Sequence, residues 1–441
     1  MYSKNDAAKF PPMGWNSYDY YGTMVNEEQV RANAEYMAKN LKKYGWEYIV
    51  IDIQWSDPDA GSQNPKVQYI PFSKFCIDEY SRQIPAPNRF PSSTGGRGFA
   101  PLSEYIHSLG LKFGIHIMRG IPRICAQNHT KILGTDITAD QIANPFSISR
   151  WNGDMYGVDW TKKGAQEYYD SIFSLYASWG VDYVKVDDIC NTNMYPQNPY
   201  SAEKEIEMIA SAIEKSGRPM VLSLSPGPAL IEKAWHLEKY ANLWRITDDF
   251  WDTWPLLRAM FERCEVWQKH VGAGCWPDCD MLPLGKLGRG FGSEWYTRLT
   301  PAERRTMMTL WCIFRSPLMI GTDLPQLDEE TLPLLTNREV LSLEKNSHGA
   351  RQIFRDEDKC AWMSLGNGCP AKGMPVNIAL FNFRDEDSEI SVNLSETGCL
   401  SPGGLYSQRD LWEQRDYAPV AGDSVLVKSV PAHGAVLVRL F

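Results

Sequence analysis

The sequence predicts an α/β protein: a (β/α)8 TIM barrel in residues 1–345, followed by an antiparallel β-sandwich in residues 346–441. Short apolar segments alternate with amphipathic helical segments from Pro11 to about Gly321, a pattern typical of parallel strands joined by helices. Three of the apolar segments end in carboxylates, and from about Asn346 the pattern changes to short strands of alternating polarity. With 441 residues and 43% hydrophobic content, the chain can bury a large core.

Eight segments are candidates for barrel strands, because each is a short run rich in apolar residues. In chain order they are PMGWNS around Gly14, YIVIDIQW (48–55), LKFGIHIM (111–118), DYVKVDD (182–188), PMVLSLS (219–225), LWRITDD (243–249), the irregular GCWPDCDML (274–282) and SPLMIG (316–321). A parallel strand buried on both faces consists mainly of such residues. A charged residue at its C-terminal end is therefore expected at the barrel mouth, where barrel enzymes carry their active sites.

The segments between these strands have the pattern of crossover helices. Residues 27–45 carry apolar positions at helical spacing and end in Gly45, which can terminate a helix, and residues 164–180 repeat the pattern. Long loops rich in Pro, Ser and Gly follow the second and third strands, at 56–98 and 119–159. Loops of this length at the barrel mouth usually build binding subsites.

The C-terminal segments CAWMSL, VNIALFNF, EISVNL, SVLVKSV and GAVLVRL alternate in polarity and are separated by turn residues. This pattern predicts the sandwich. The sequence contains no flexible linker before it, so we expect the sandwich to pack against the barrel.

Composition and charge exclude several classes of protein. The net charge is −9, with 45 basic and 54 acidic residues spread along the chain, whereas a nucleic-acid surface needs a basic patch. The N-terminal segment MYSKNDAAKFPPMG lacks the apolar core of a signal peptide, and no stretch approaches the length of a membrane span. The ten cysteines show neither a disulfide framework nor zinc spacing. We expect a cytoplasmic protein without metal, nucleic-acid or membrane partners, unless a leader has been removed.

The fourth predicted strand carries a candidate nucleophile. Side chains alternate along a strand, so Lys185 and Asp187 share one face and Asp188 points away from it. A neighbouring ammonium lowers the pKa of a carboxyl group, as a nucleophile that attacks an anomeric carbon requires. Taken alone, the pair is equally well explained as a structural ion pair at the end of a strand.

The sixth predicted strand brings a second carboxylate to the same mouth. By alternation, Arg245, Thr247 and Asp249 share a face, and Asp248 lies on the other. Two carboxylates from different strands are hard to explain as core packing. Glycoside hydrolysis needs such a pair, one to attack and one to protonate the leaving oxygen, about 5 Å apart when the configuration is retained.

Motifs on these strands resemble glycoside hydrolase family 27, the retaining α-galactosidases and α-N-acetylgalactosaminidases. PPMGWNS (11–17) is similar to the family's opening strand, WRITDDF (244–250) to its acid/base strand, and GCWPDCDML to its GGWNDPDML. SPLMIGTDL (316–324) and the sandwich follow the family's layout, so the resemblance covers nearly the whole chain. It implies a glycosidase that acts on a carbohydrate and needs no cofactor.

The resemblance also implies roles for individual residues. Asp187 matches the nucleophile in the family's LKYD strand, and Asp249 matches the acid/base. The positions that correspond to sugar-binding residues are Lys185, Arg245, Asp52, His116, Ser225 and, as the ring beneath the apolar face of the sugar, Trp15. Other carboxylates near these strands are expected to be structural: Asp182, Asp188, Asp248, Asp278 and Asp280.

Departures from the family pattern lie at positions that determine specificity. Ile53 stands where the family usually has a second Asp after Asp52, and Gln54, on the same predicted strand face as Asp52, is a candidate to compensate. His116 replaces a common Tyr as a hydrogen-bonding group. Ser225 replaces the Glu of galactosidases, as in the N-acetylgalactosaminidase branch, and leaves room for a 2-acetamido group, although the Pro-Gly-Pro that follows does not match that branch.

We therefore expect a retaining, exo-acting α-glycosidase for terminal α-galactosyl-type residues, either an α-galactosidase or an α-N-acetylgalactosaminidase. One alternative is a glycosidase for another sugar of the family, a β-L-arabinopyranoside or isomaltodextran, because Ile53 suits a sugar without a polar contact at C6. The other is a barrel that binds sugar without turnover, against which the retention of both Asp187 and Asp249 argues. A homodimer is compatible with the sequence.

Overall fold

The predicted barrel is confirmed. The computed structural model describes residues 3–61, 73–149, 151–192, 197–367 and 374–441. Its barrel strands are β1 (Met13–Asn16), β2 (Tyr48–Ile51), β3 (Lys112–Met118), β4 (Tyr183–Asp187), β5 (Val221–Leu224), β6 (Leu243–Arg245), β7 (Trp276–Asp278) and β8 (Leu318–Ile320). They form one parallel sheet in the order β7-β6-β5-β4-β3-β2-β1-β8. Leu282, beyond β7, pairs in parallel with Ile320 of β8 and so joins the two edges.

A helix follows each of the first seven strands, as the alternating pattern predicted. These helices are α1 (Glu27–Tyr36), α2 (Ala100–Ser108), α3 (Ala165–Ser178), α4 (Glu203–Ser216), α5 (Ala234–Tyr240), α6 (Trp254–Trp267) and α7 (Pro301–Phe314). After β8 come three short helices, Leu332–Thr336, Arg338–Leu341 and Leu343–Asn346. Gly45 ends the first crossover with a left-handed φ of +107°, as its position predicted. None of the described helices is both long and apolar enough to cross a membrane.

The C-terminal strands are antiparallel, which confirms the predicted sandwich. They are β9 (Ser347–Arg355), β10 (Lys359–Gly366), β11 (Val376–Asn382), β12 (Ser388–Asn393), β13 (Leu405–Asp410), β14 (Arg415–Ala421), β15 (Val425–Val430) and β16 (Ala435–Leu440). One sheet has the order β9-β10-β11-β16-β13-β14, and β12 pairs with β15. The boundary between residues 345 and 346 stays a prediction.

The sandwich packs directly on the barrel helices α6 and α7. The ring of Phe261 in α6 meets the rings of Phe381 and Phe383 at centroid distances of 4.8 Å each. Trp254 stacks on His433 at 3.9 Å, and Thr306 in α7 donates a hydrogen bond to the main-chain oxygen of His433. A single cluster of buried apolar side chains runs from the barrel into this side of the sandwich.

Glu344, in the short helix before the sandwich, is a fully buried carboxyl group. The guanidinium of Arg315 donates to the main-chain oxygen of Glu344, with Nη2 at 2.8 Å. Burial raises the pKa of the Glu344 side chain well above its usual value, although Arg315 and the Cys312 thiol act in the opposite direction. The folded protein therefore favours the protonated, neutral form of Glu344.

We expect Glu344→Gln to stabilise the protein at alkaline pH. The pKa of Glu344 is raised on folding, so the stabilisation from its protonated form is lost as pH rises above the unfolded-state value of about 4.3. Glutamine has the shape of the neutral acid at every pH. Urea unfolding at pH 5 and pH 8 should show a smaller loss of stability in Glu344→Gln than in the wild type. Glu329→Gln, at an exposed position, is the control, and equal losses in all three proteins would contradict the prediction.

Candidate active site

The carboxyl ends of the barrel strands surround a pocket of about 360 Å³. Its lining residues are Tyr18, Asp19, Asp52, Ile53, Trp151, Lys185, Asp187, Pro226, Arg245, Asp248, Asp249, Phe250, Trp251, Asp280 and Met281. Asp52, Lys185, Asp187, Arg245 and Asp249 thus lie together, where the sequence predicted them. Carboxylates and cations beside aromatic rings offer hydrogen bonds and apolar faces, which a polyhydroxylated ring can use at the same time.

Asp187 is the last residue of β4, and its side chain is only 13% exposed. The Asp188 N–H donates to Oδ1 at 2.8 Å, and Nε2 of His116 in β3 lies 2.9 Å from Oδ2. Burial by itself would raise the pKa of Asp187. His116, the Lys185 ammonium and the Asp188 N–H outweigh burial, so the pKa is lowered. The carboxylate is therefore held ionised, as a nucleophile must be.

Asp52 follows β2 and shares the cation of Asp187. Lys185 Nζ lies 3.0 Å from Asp52 Oδ2, to which Asn16 also donates at 2.7 Å, and the Ile53 N–H donates to Oδ1 at 2.9 Å. Burial would raise the pKa of Asp52, but Lys185 and the other donors hold it well below its usual value. The pKa of Lys185 is in turn raised, because Asp52 and Asp187 outweigh the effect of burial.

Arg245, at the end of β6, connects two further carboxylates. Its Nη2 donates to Asp249 Oδ1 at 3.1 Å and lies 2.8 Å from Asp280 Oδ2. The Asp249 side chain is 58% exposed, in contrast to the buried Asp187. Burial raises the pKa of Asp280, although Arg245 opposes it. The pocket therefore combines Asp187, a buried and ionised carboxylate, with Asp249, which faces solvent, an arrangement suited to attack from one side and proton transfer at the open side.

Asp19 is a pocket residue that the sequence interpretation missed. It is 4% exposed, and its Oδ2 has no hydrogen-bond partner within the described ranges. Burial raises its pKa well above the usual value, and the nearby Asp280 adds to this, while Lys185 opposes it. A single polar residue in a short helix just after β1 gives no periodic signal that could have identified it.

Trp15 is not the ring that faces the pocket, so this prediction is wrong. Trp15 is fully buried, and its Nε1 donates to the Thr322 main-chain oxygen at 2.7 Å. Because β1 ends at Asn16, the chain turns into a short helix, Tyr18–Tyr21, and Tyr18 lines the pocket instead. The ring of Phe291 meets Tyr18 edge-on at 5.5 Å.

His116 and Ser225 also lie outside the pocket lining, which corrects their predicted role as direct sugar contacts. His116 is 1% exposed and contacts Asp187 from behind. Ser225 is 1% exposed, with its Oγ 3.5 Å from the Val186 main-chain oxygen, whereas Pro226 lines the pocket. Ser225 therefore does not border the pocket.

Strand alternation fails wherever the strand has already ended. Because β2 ends at Ile51, Gln54 has a left-handed φ of +65° and faces a separate recess, so it does not compensate for Ile53. Because β6 ends at Arg245, Asp248 lines the pocket together with Asp249 instead of pointing away. Asp280, which was expected to be scaffolding, also faces the pocket.

Asp188 points away from the pocket, as predicted, into a buried ionic network. Arg119 Nη2 lies 2.9 Å from Asp188 Oδ2, and its Nη1 lies 3.1 Å from Glu205 Oε1. All three side chains are at most 7% exposed. Burial raises the pKa of Asp188 to about 6 against the effect of Arg119. The network holds in place Asp188, whose main-chain N–H donates to Asp187.

Loop residues supply much of the pocket wall. Trp151 comes from the loop at 119–159, for which binding subsites were predicted, and Trp251 and Phe250 follow β6. Part of the other long loop, residues 62–72, lies outside the described residues.

One group of side chains away from the pocket has the composition of a metal site. Glu203, Glu207 and His236 place their ligand atoms within 4.8 Å of one another. Lys233 and Lys204 already pair with the two carboxylates at 2.8 Å, and the nitrogens of His236 lie near Tyr200 and Glu207. These contacts satisfy the group without an ion.

Both parts of the chain match known protein families. Residues 158–346 match the family described as α-galactosidase A, and residues 370–440 match the α-galactosidase C-terminal β-sandwich domain. The chain is similar to a β-L-arabinopyranosidase of glycoside hydrolase family 27 from Geobacillus stearothermophilus, at 52% identity, with 99% of this chain and 97% of that chain covered and a TM-score of 0.92. A structure from Bacillus halodurans with a provisional assignment as an α-N-acetylgalactosaminidase is 49% identical over 98% of this chain and 97% of that chain, with a TM-score of 0.85.

More distant relatives include plant enzymes. α-Galactosidase 2 of Arabidopsis thaliana is 27% identical over 95% of this chain and 87% of its own length. The α-galactosidase of Coffea arabica is 28% identical over 96% and 91%, respectively.

We expect Arg119→Met to cause a large loss of stability, because it leaves Asp188 and Glu205 buried without their cation. Removal of one partner of a buried ion pair costs about 3–5 kcal/mol, whereas an exposed pair contributes at most about 1 kcal/mol. Lys215→Met breaks the pair with Asp170, in which Lys215 is 53% exposed, and serves as the matched control. Urea unfolding at pH 8 measures both. Similar losses in the two variants would show that the network contributes no more than a surface pair.

Proposed function

The chain belongs to glycoside hydrolase family 27, and on this premise we propose that it is a retaining exo-glycosidase for terminal β-L-arabinopyranosyl residues. β-L-Arabinopyranose has the ring and hydroxyl configuration of α-D-galactopyranose but lacks the hydroxymethyl group at C5. A pocket for it therefore shares most of its contacts with that of an α-galactosidase. The two differ at the edge that would face this group.

The observation that carries the proposal is the position of Ile53. Its side chain lines the pocket next to Asp52, at 4% exposure, and packs in an apolar cluster with Met118 and Met155. A buried hydroxyl that meets an apolar wall loses its hydrogen bonds, at a cost of about 1–3 kcal/mol. A pentopyranose has no hydroxymethyl group at C5 and so loses no hydrogen bonds there, which means that this wall favours it over a galactoside. The 52% identity to a β-L-arabinopyranosidase supports the same sugar.

The position of Ser225 gives no support to an α-N-acetylgalactosaminide as the substrate. Pro226, not Ser225, lines the pocket after β5, and it offers no hydrogen-bond donor to an acetamido oxygen. A 2-hydroxyl is smaller than a 2-acetamido group and needs no pocket of its own.

The mechanism that we infer is a double displacement. A carboxylate oxygen of Asp187 attacks the anomeric carbon as its bond to the leaving oxygen breaks, and Asp249 donates a proton to that oxygen. In the second step Asp249 takes a proton from water, which attacks the same carbon and releases Asp187. Asp187 suits the first role because its pKa is lowered, and Asp249 suits the second because its exposed side chain can meet water and the leaving group.

The experiment that tests the proposal compares initial rates on aryl β-L-arabinopyranoside, α-galactoside and α-N-acetylgalactosaminide, with Asp187→Asn as the blank. The highest kcat/KM is expected on the arabinopyranoside. A preference for either of the other two would overturn the proposed sugar. Absence of turnover on all three would favour a sugar-binding barrel or another glycoside.

We expect Ile53→Asp to shift the preference toward the galactoside. The new carboxylate can accept a hydrogen bond from the 6-hydroxyl, so the ratio of kcat/KM for α-galactoside over β-L-arabinopyranoside should rise by about tenfold, which corresponds to ~1.4 kcal/mol. Ile53→Val keeps the wall apolar and is the control, with an expected change in the ratio below about twofold. An unchanged ratio in Ile53→Asp would show that residue 53 does not determine specificity for the substituent at C5.

We expect Asp187→Asn and Asp249→Asn to fail in different ways. Asp187→Asn should lose turnover of every aryl glycoside, because no nucleophile remains. Asp249→Asn should keep cleavage of glycosides with acidic phenols, which leave without a proton, and added azide should accelerate its turnover because azide needs no general base. Proton NMR of the wild-type reaction should show the sugar first in its original anomeric configuration. Release of the opposite anomer would contradict the retaining mechanism.

A further inference from the structure

A small recess of about 20 Å³ lies behind the pocket wall formed by Ile53. Among the described residues, its polar lining consists of Gln54, Ser56, Gln83, His116 and Asn152, and the other lining residues are mainly apolar. His116 links the recess to the pocket, because its Nε2 lies 2.9 Å from Asp187 Oδ2 and its ring also borders the recess.

Polar atoms without partners face this recess. His116 Nδ1 and both amide atoms of Gln54 have no hydrogen-bond partner in the described part of the chain, although the residues are 1% and 6% exposed. Each such atom costs about 1–3 kcal/mol if it stays unpaired, so buried amides and imidazoles nearly always have a partner, ordered water included. A cavity needs about 10–15 Å³ to hold a water molecule, and the recess exceeds this.

Gln54 is held toward the recess by its main chain. Its φ of +65° is unfavourable for a residue with a side chain and persists only where the surroundings impose it. The buried guanidinium of Arg89 does so, because its Nη1 donates to the main-chain oxygens of Gln54 at 2.6 Å and Asp57 at 2.9 Å. Its Nη2 binds the main-chain oxygens of Thr23 and Val25. The main chain of Gln54 is thus held in place, so its side chain begins at the edge of the recess.

We propose that the recess binds one water molecule between His116 Nδ1 and the carboxamide of Gln54, and that Gln54 thereby acts as a positioning residue for Asp187. The inference rests on the proposed role of Asp187 as nucleophile. The water completes the hydrogen bonding of an imidazole whose other nitrogen contacts the attacking carboxylate. Gln54 does not touch the substrate and acts only through His116.

The electrostatic consequence follows from the charges around His116. Asp187 and Asp52 face it from β4 and from the end of β2, with Asp52 Oδ1 at 4.0 Å, and Lys185 lies beside both carboxylates. Asp188, next along the chain, pairs with Arg119. Among the described residues that line the recess, His116 is the only one with an ionisable side chain. A water held by the Gln54 carboxamide that donates a hydrogen bond to Nδ1 keeps the ring proton on Nε2, from which it is donated to Asp187 and favours the ionised form of that carboxylate.

The test compares Gln54→Met and Gln54→Glu in the pH dependence of kcat/KM, with whichever aryl glycoside is turned over fastest. Met has nearly the volume of Gln but cannot hold the water, so the acid limb should move to higher pH by about one unit. Glu keeps the shape and accepts hydrogen bonds more strongly, so the acid limb should return to the wild-type position or move below it. A purely structural role would lower stability in Gln54→Met without moving the acid limb, and that result would overturn the proposal.

A second measurement separates this inference from the proposed function. The ¹⁵N chemical shifts of the His116 ring report its tautomer and charge without any turnover, and His116→Gln identifies its signals among the seven histidines. Gln54→Met should shift the signals of the two His116 ring nitrogens, because the water no longer keeps the ring proton on Nε2, whereas Gln54→Glu should keep the wild-type signals. If the glycosides are not cleaved but this shift occurs, the water-mediated role of Gln54 is supported and the proposed function is wrong. If the His116 signals are the same in both variants and the wild type, the proposed role of Gln54 is wrong.

Discussion

The ammonium of Lys185 is the charge on which the pocket floor depends. Asp52 and Asp187 are both withdrawn from water, and a buried carboxylate without a counter-charge is destabilised by several kcal/mol and takes up a proton instead. Because β2, β3 and β4 are adjacent in the sheet, one lysine and one histidine serve both carboxylates. A neutral residue at 185 would therefore change the charge of two groups, Asp52, which is proposed to bind the sugar, and Asp187, which is proposed to react.

Where the backbone is extended, the sequence was sufficient to predict which side chains line the pocket. Lys185 and Asp187 both lie within β4 and share the pocket face, as period-two alternation requires. Asp188 points away from the pocket as predicted, but it lies beyond the strand end with a left-handed φ of +55°, so alternation does not explain its direction. The eight strands and their helices follow from the same kind of reasoning, since apolar periodicity is a local property of the chain. The family resemblance then identified which of several acidic strand ends belong together.

Beyond the strand ends, alternation no longer applies, and the errors concentrate there. Several barrel strands are only three or four residues long, so Gln54, Asp248 and Asp280 belong to turns whose direction depends on tertiary contacts. Left-handed residues such as Gln54 and Asp280 reverse the expected direction of a side chain. For Trp15, the motif was correct but the ring that reaches the pocket belongs to Tyr18. Sequence spacing does not distinguish two aromatic residues on either side of a turn.

The continuous core between barrel and sandwich bears on how the chain unfolds. Phe261, Phe381 and Phe383 form one aromatic contact across the boundary, and Trp254 is covered by His433. Separation of the two parts would expose these rings to water, at about 25 cal/mol for each Å² of apolar surface. We therefore expect the barrel and the sandwich to unfold together, although the sequence indicates two domains. Thermal unfolding should therefore be a single cooperative transition. A shortened chain that ends with the barrel would expose these aromatic side chains to solvent and would be prone to aggregate.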